Sequence, residues 1–136
     1  EIDRELLARR VYCDPDQLRR LNAIVHPLVI SEIRKRISER DCNRLFILET
    51  ALLFETGCDQ LCDEVWGVVT EDEIRIRRLK DSRGYSREKA ESIMRNQHSN
   101  AALRTLCQRV LVNDGEPRDL EAQINVAVEN LLENPK

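Results

Sequence analysis

The sequence predicts an α/β protein in which a cluster of helices precedes a parallel sheet. Apolar residues recur at helical spacing through residues 1–40. Three short apolar runs without that period follow at residues 44–49, 64–70 and 109–113, and we interpret them as buried strands. Helical patterns alternate with these runs, which is typical of a parallel sheet. Three short strands form a smaller sheet than average, so we expect an incomplete one.

Three helices are predicted at the start of the chain, at residues 2–11, 15–22 and 27–40. Asp14 followed by Pro15 is typical of a helix start, because an aspartate caps the helix and proline suits its first turn. Pro27 is predicted to open the third helix for the same reason. The apolar residues on the inner side of this third helix are Leu28, Ile30, Ile33 and Ile37.

The remaining elements follow from capping and turn signals. Thr70 and Glu73 match a capping box, which predicts a helix start. Ser86 is predicted to start another helix, which extends to about His98. The other predicted elements are a turn at residues 81–85, a loop at 113–117 and a closing amphipathic helix at 119–132.

Composition limits the class of protein. Of 136 residues, 41% are apolar and 35% are charged, with a net charge of -3, which suits a globular protein without a general attraction to nucleic acid. No apolar run reaches the length of a membrane helix. The five cysteines are odd in number and lack a repeated spacing, which favours reduced thiols and a cytoplasmic location. Cys58 and Cys62 are four residues apart, but no second Cys/His pair completes a metal site.

A basic segment at residues 75–83 is the richest in chemistry. It contains one acidic residue, Asp81, and five basic ones, which are Arg75, Arg77, Arg78, Lys80 and Arg83. Arginines on a segment that ends in a glycine turn suit phosphoryl transfer, in which positioning and charge stabilisation dominate. A solvated helix face with ion pairs such as Glu71–Arg75 or Glu73–Arg77 is the alternative. Nucleic-acid binding is less favoured, because Tyr85 is the only aromatic residue nearby.

Other candidate residues lie at predicted element ends. His26, next to Pro27, is placed to donate to a phosphate at a helix start, or it only caps and packs. Glu49 and Glu55 follow the first predicted strand, where parallel sheets bind ligands, although a surface acid and a helix cap are the simpler interpretation. Residues 113–115, Asn-Asp-Gly, form either a plain turn or a surface for a nucleobase.

A phosphate-binding loop is absent from the sequence. The pattern G-x-x-x-x-G-K followed by Ser or Thr is matched by none of the four glycines, which are Gly57, Gly67, Gly84 and Gly115.

Taken together, the segments resemble the dephospho-CoA kinase family. They are residues 2–4 (IDR), 21–28 (LNAIVHPL), 52–55 (LLFE), 77–78 (RR), 82–86 (SRGYS), 94–97 (MRNQ) and 112–115 (VNDG). The resemblance implies a P-loop kinase fold and ATP-dependent phosphorylation of the 3′-hydroxyl of dephospho-CoA, the last step of coenzyme A biosynthesis. It also implies ATP and Mg²⁺ in the complete enzyme, neither bound tightly by this chain, and no nucleic-acid or membrane partner.

The resemblance also implies roles for parts of the chain. Residues 1–41 become a helical CoA-binding subdomain, and residues 42–136 become the rest of the α/β core, with a helical lid at about 75–98. The implied substrate-binding residues are Arg4, Asn22, His26 and Glu55. The implied catalytic residues are Arg83, which stabilises the transferring phosphoryl group, and Arg77 and Arg78 behind it. The implied nucleotide-binding residues are Gln97, Asn113 and Gly115.

Departures from the family lead to further expectations. The family's phosphate loop and the strand that carries its aspartate base have no counterpart here, and Ala51 stands where the family has proline. We therefore expect this chain to be inactive alone. We also expect the strands at residues 44–49 and 64–70 to pair directly or to recruit another chain through their edges. A non-catalytic CoA- or nucleotide-binding module and another small-molecule P-loop kinase are the alternatives.

Overall fold

The computed structural model describes residues 2–12, 14–41 and 45–133. Internal contacts divide the chain into two units, Glu1–Cys62 and Asp63–Lys136. The predicted domain boundary at residues 41–42 stays a prediction. No helix in the described ranges is long and apolar enough to cross a membrane.

The described part of the first unit contains two α-helices, α1 (Arg4–Tyr12) and α2 (Pro15–Ser38), which pack against each other. The predicted start of α2 is confirmed, because the Asp14 carboxylate accepts hydrogen bonds from Asp16 N at 2.9 Å and Gln17 N at 3.3 Å. A 3₁₀ helix follows at Cys58–Leu61, preceded by turns.

The predicted helix break between Asn22 and Pro27 is wrong, since α2 continues through Pro27. Proline removes one backbone hydrogen bond and costs about 3 kcal/mol inside a helix. A single stripe of half-buried side chains runs along α2 without a change of phase, and its packing outweighs that local cost. The stripe consists of Leu18, Leu21, Asn22, His26, Ile30, Ile33 and Ile37. Leu28, predicted to face inward, is 66% exposed.

The strand predicted at residues 44–49 is also wrong for the part that is described. Residues 45–49 have no regular structure, and Arg44 lies outside the described residues. A strand exists only through its ladder partners, and no backbone hydrogen bond joins this described run to another segment. Its apolar side chains remain accessible, with Ile47 85% exposed. The expected direct pairing with the strand at residues 64–70 is therefore not found.

The second unit is built around a parallel pair of strands, β1 (Trp66–Val69) and β2 (Arg109–Val112). Both strands were predicted, and both are confirmed. The register pairs Trp66 with Arg109 and Val69 with Val112, so the two strands end at the same level. Within the described ranges the sheet has two strands, not the three predicted. The mixed α/β class itself is confirmed.

The described part of the second unit also has four helices, which are α3 (Asp72–Arg83), α4 (Arg87–Arg95), α5 (Asn100–Leu106) and α6 (Pro117–Glu133). Helices α5 and α6 contact the strands, and α4 packs against α3. Ser86 caps α4 as predicted, accepting from Lys89 N at 3.3 Å, but α4 ends at Arg95 and not near His98. The sequence did not predict α5, which Ser99 caps. The buried side chains in the described part of this unit are Val65, Val69, Ile76, Ala90, Leu111 and Ala127.

The capping box predicted at residues 70–73 is wrong. Helix α3 has Glu71 at its N-cap position and no side-chain cap of its own. The Thr70 hydroxyl donates instead to the carbonyl oxygen of Asn113 at 3.2 Å. The tertiary contact with the loop after β2 takes the place of the local one.

Candidate functional site

A cleft of about 300 Å³ lies in the second unit between α3 and α4, beside the carboxyl end of β1. The two helices are joined at Gly84, whose φ of 64° is in the left-handed region that glycine adopts without strain. The cleft is lined by Thr70, Arg75, Arg78, Leu79, Arg83, Tyr85, Ile93, Met94 and Gln97. Three arginines therefore line one concave surface.

Arg75 spans this cleft. Its Nη2 donates to Oε1 of Gln97 at 2.6 Å, and its Nη1 lies 3.9 Å from the Asp72 carboxylate. The Arg75 side chain is 23% exposed. Gln97 was a predicted nucleotide-binding residue, whereas Arg75 was not singled out within the basic segment. Arg78 and Arg83 follow Arg75 by about one and two helical turns. This spacing in the sequence predicts that the three side chains share one face of the helix.

Arg78 brings together three of the predicted residues. Its Nη1 donates to the carbonyl oxygen of Asn113 at 2.6 Å, and its Nη2 donates to that of Gly115 at 2.9 Å. The backbone N–H of Asn113 donates to the carbonyl oxygen of Val69 at 2.8 Å. The loop after β2 is thus fastened both to β1 and to α3.

Arg83 is the last residue of α3, and its side chain lines the cleft. Its guanidinium makes no hydrogen bond or ion pair with the residues that the structure describes. Arg77 lies on the same helix with an exposed side chain, and it does not line the cleft. Of the predicted catalytic arginines, the structure therefore brings Arg78 and Arg83 to the site and leaves Arg77 outside it.

An ion pair joins α3 to α4. Arg87 donates to the Glu73 carboxylate at 3.0 and 2.5 Å and to Glu91 at 2.9 Å. Hydrogen bonding and charge attraction by Arg87 lower the pKa of Glu73 below its ordinary value. Hydrogen bonding and charge attraction by Glu73, and to a smaller extent by Glu91, raise the pKa of Arg87. Glu73 therefore pairs with Arg87 on the next helix, and not with Arg77 on its own helix.

The predicted substrate-binding residues belong to the first unit. Asn22 and His26 are half-buried and one turn apart on α2. Glu55 lies in the turns at residues 51–57 with an exposed side chain. Arg4 starts α1, but its side chain is outside the described part of the chain.

Comparison with known proteins identifies the family. The model of a protein family described as dephospho-CoA kinase matches residues 1–119. The chain belongs to the dephospho-CoA kinase family. A dephospho-CoA kinase from Fusobacterium nucleatum is 33% identical over 119 residues, which cover 88% of this chain and 61% of that protein. A dephospho-CoA kinase from Symbiobacterium thermophilum is 35% identical over 128 residues, which cover 93% and 54%.

Two solved structures have a similar fold. A crystal structure of a Thermus thermophilus protein is similar with a TM-score of 0.77 and 34% identity, over 96% of this chain and 68% of that one. A dephospho-CoA kinase from Campylobacter jejuni has a TM-score of 0.71 at 20% identity, over 96% and 66%, and shares the fold.

Proposed function

We propose that the protein containing this chain phosphorylates the ribose 3′-hydroxyl of dephospho-CoA with ATP. The observation that carries the proposal is the grouping of Arg75, Arg78 and Arg83 around one cleft in a member of the dephospho-CoA kinase family. Guanidinium groups bind phosphate oxygens through planar pairs of N–H donors, so a cleft of this composition suits a nucleoside polyphosphate.

In the proposed reaction the ribose 3′ oxygen bonds to the terminal phosphorus of ATP. The bond from that phosphorus to the bridging oxygen breaks, ADP leaves, and the hydroxyl proton passes to a base. Catalysis of this step is mainly positioning and charge stabilisation. We assign the transferring phosphoryl group to Arg83, because its guanidinium lines the cleft without a hydrogen-bond partner among the described residues. Arg78, which lines the same cleft, supports it from the same helix, and a role for Arg77 stays a prediction from the resemblance.

The nucleotide side of the proposed site consists of Gln97, Asn113 and Gly115. Gln97 lines the cleft, and Arg78 joins the other two residues to the helix that forms it. We also propose that Arg4, Asn22, His26 and Glu55 of the first unit bind the substrate. The shared face of Asn22 and His26 on α2 supports this assignment.

The residues described here do not fit a metal site. No group of three His, Cys, Asp or Glu side chains within the described ranges is arranged to hold a metal ion. Mg²⁺ would therefore bind with the phosphates of ATP, whose charge it would neutralise.

The test is turnover by the full-length gene product. We expect it to convert dephospho-CoA and ATP to CoA and ADP, measured by mass spectrometry. Replacing Arg83 by alanine (Arg83→Ala) should lower kcat by about 10³-fold, the scale reported for an arginine at a transferring phosphoryl group. The matched control is Arg104→Ala, because Arg104 is an exposed arginine on α5 that does not line the cleft.

An unchanged kcat in Arg83→Ala would remove Arg83 from the reaction. If calorimetry shows that the unsubstituted protein binds dephospho-CoA but no turnover is measured, the protein is a binding module and not a kinase. Turnover restricted to a different small-molecule acceptor would indicate another kinase with this fold.

A further inference from the structure

We propose that Asp114 is a positioning residue for the arginines of α3. Asp114 does not line the cleft. Together with Arg78 it fastens the loop after β2 to α3, so the placement of Arg75 and Arg83 depends on it. The kinetic part of this inference rests on the proposed function.

The first attachment is a helix cap supplied by a distant part of the chain. Helix α3 has no side-chain cap of its own, and Glu71 occupies its N-cap position. The Glu71 amide donates to Oδ1 of Asp114 at 2.8 Å, from a residue 43 positions along the chain. A carboxylate at this place satisfies an amide and interacts favourably with the positive end of the helix dipole. The start of α3 is therefore set by the loop after β2.

The second attachment is the guanidinium of Arg78, which binds the carbonyl oxygens of Asn113 and Gly115 at 2.6 and 2.9 Å. Residues 71 and 78 are about 10 Å apart along the helix axis at the standard rise. A single attachment leaves a helix able to pivot, whereas two separated attachments fix its direction as well. Arg75 lies between them, and Arg83 lies just beyond the second.

The loop that receives both attachments is itself anchored. Asn113 N donates to Val69 O at 2.8 Å, and Glu116 N donates to Oδ2 of Asp119 at 3.0 Å. The Asp114 side chain is half-buried. The loop is thus anchored independently of α3. Loss of the Asp114 contact releases the first turn of α3, and displacements near 1 Å reduce rates by up to about 10²-fold.

The test uses the full-length gene product and compares Asp114→Ala with Asp114→Asn. Asparagine retains an acceptor oxygen in the same place and caps helices as well as aspartate does. We expect Asp114→Ala to lower kcat/KM for ATP by about 10-fold or more, within the range of losses that follow from a small displacement of reacting groups. Asp114→Asn should restore it to within about threefold. Hydrogen exchange of the Glu71 amide should accelerate in the alanine variant and not in the asparagine variant.

Glu121→Ala is the control, because it removes an exposed carboxylate from α6 without touching α3 or the loop after β2. We expect it to leave kcat/KM for ATP near the value of the unsubstituted protein. Equal losses in Glu121→Ala and Asp114→Ala would overturn the proposal. An exchange rate of the Glu71 amide in Asp114→Ala equal to that in the unsubstituted protein would also overturn it. A mere loss of folded protein would lower the active fraction and leave KM unchanged, so circular dichroism and KM are measured together.

If Asp114→Ala does not fold, Asp114→Glu carries the same test. Glutamate keeps the charge but moves the carboxylate by one methylene group, so we expect the same loss of kcat/KM. A kcat/KM equal to that of the unsubstituted protein would overturn the proposal. Absence of turnover in the unsubstituted protein contradicts the proposed function alone. In that case Glu71 exchange still decides whether Asp114 holds α3.

Discussion

At the scale of single residues, Gly67 shows how closely the second unit is packed. A Cβ atom added there would lie 2.8 Å from Cys107 Sγ and 3.4 Å from the Cβ atom of Leu103. The backbone of Gly67 is outside the left-handed region, so its requirement for glycine is one of volume. The missing side chain lets the end of α5 lie against β1.

Gly67→Ala should therefore lower the free energy of unfolding by about 1–3 kcal/mol, the usual cost of overpacking a core. Cys107→Ala removes the sulfur, so the double variant should recover part of that loss through a coupling of about 1 kcal/mol. Urea unfolding followed by fluorescence of the single tryptophan, Trp66 in β1, measures all three variants. Additive losses in the double variant would contradict the proposed contact.

At the scale of elements, the ion pair between Glu73 and Arg87 connects α3 to α4 across the Gly84 turn. The pKa of Glu73 is lowered in the folded protein because the ion pair favours its charged form. The stabilising contribution is therefore complete above the ordinary pKa of a glutamate. It is lost as the pH falls through the lower, folded value.

Arg87→Gln should raise the pKa of Glu73 toward its ordinary value and weaken the acid dependence of unfolding. Carboxyl ¹³C NMR titration of Glu73 measures the first effect, and urea midpoints at neutral and acidic pH measure the second. Arg95→Gln is the control, since Arg95 is an exposed arginine at the end of the same helix. An unchanged titration of Glu73 in Arg87→Gln would show that the pair does not persist in solution.

The elements that could be predicted were those with a local cause. The caps at Asp14 and Ser86 and the runs that became β1 and β2 carry their signals within a few residues. Residues 45–49 have the same apolar pattern as β1. A strand also needs a neighbouring strand to pair with, and the apolar pattern of one segment does not show whether such a neighbour exists. Pro27 predicts a helix start locally, and the continuous packing stripe that spans it is visible only in three dimensions.

The candidate site was likewise predictable only where its cause was local in the sequence. The arginine-rich segment was evident from composition, since charge is a property of the sequence. The bonds from Arg75 to Gln97 and from Arg78 to the loop at residues 113–115 join positions that are 22 to 37 residues apart. Asp114 gave no signal as a helix cap, because the helix that it caps lies 43 residues earlier.

At the scale of the whole molecule, the described burial is uneven between the two units. Val11 and Cys58 are the buried side chains described in Glu1–Cys62, and none of those on α2 is fully buried. The second unit buries side chains from β1, α3, α4, β2 and α6. The stability of the chain is therefore expected to reside mainly in the second unit.

Amide hydrogen exchange on the 136-residue chain tests this expectation. Amides of β1 and β2, and the Asn113 amide that donates to Val69 O, should exchange only through extensive unfolding. Amides of α2 should exchange faster, because helices without buried side chains open locally at low cost. Equal protection of α2 and the two strands would contradict the uneven distribution of stability.

The parallel pairing of β1 with β2 has a consequence for how the protein is made. Helices α3, α4 and α5 all lie between the two strands in the chain. During synthesis β1 leaves the ribosome before β2. At a synthesis rate of about 5–20 residues per second, several seconds pass before β2 is available for pairing. Unpaired strand edges in that interval favour association between nascent chains. Early formation of α5, which has its own Ser99 cap and contacts β1, is expected to shield β1 during this time.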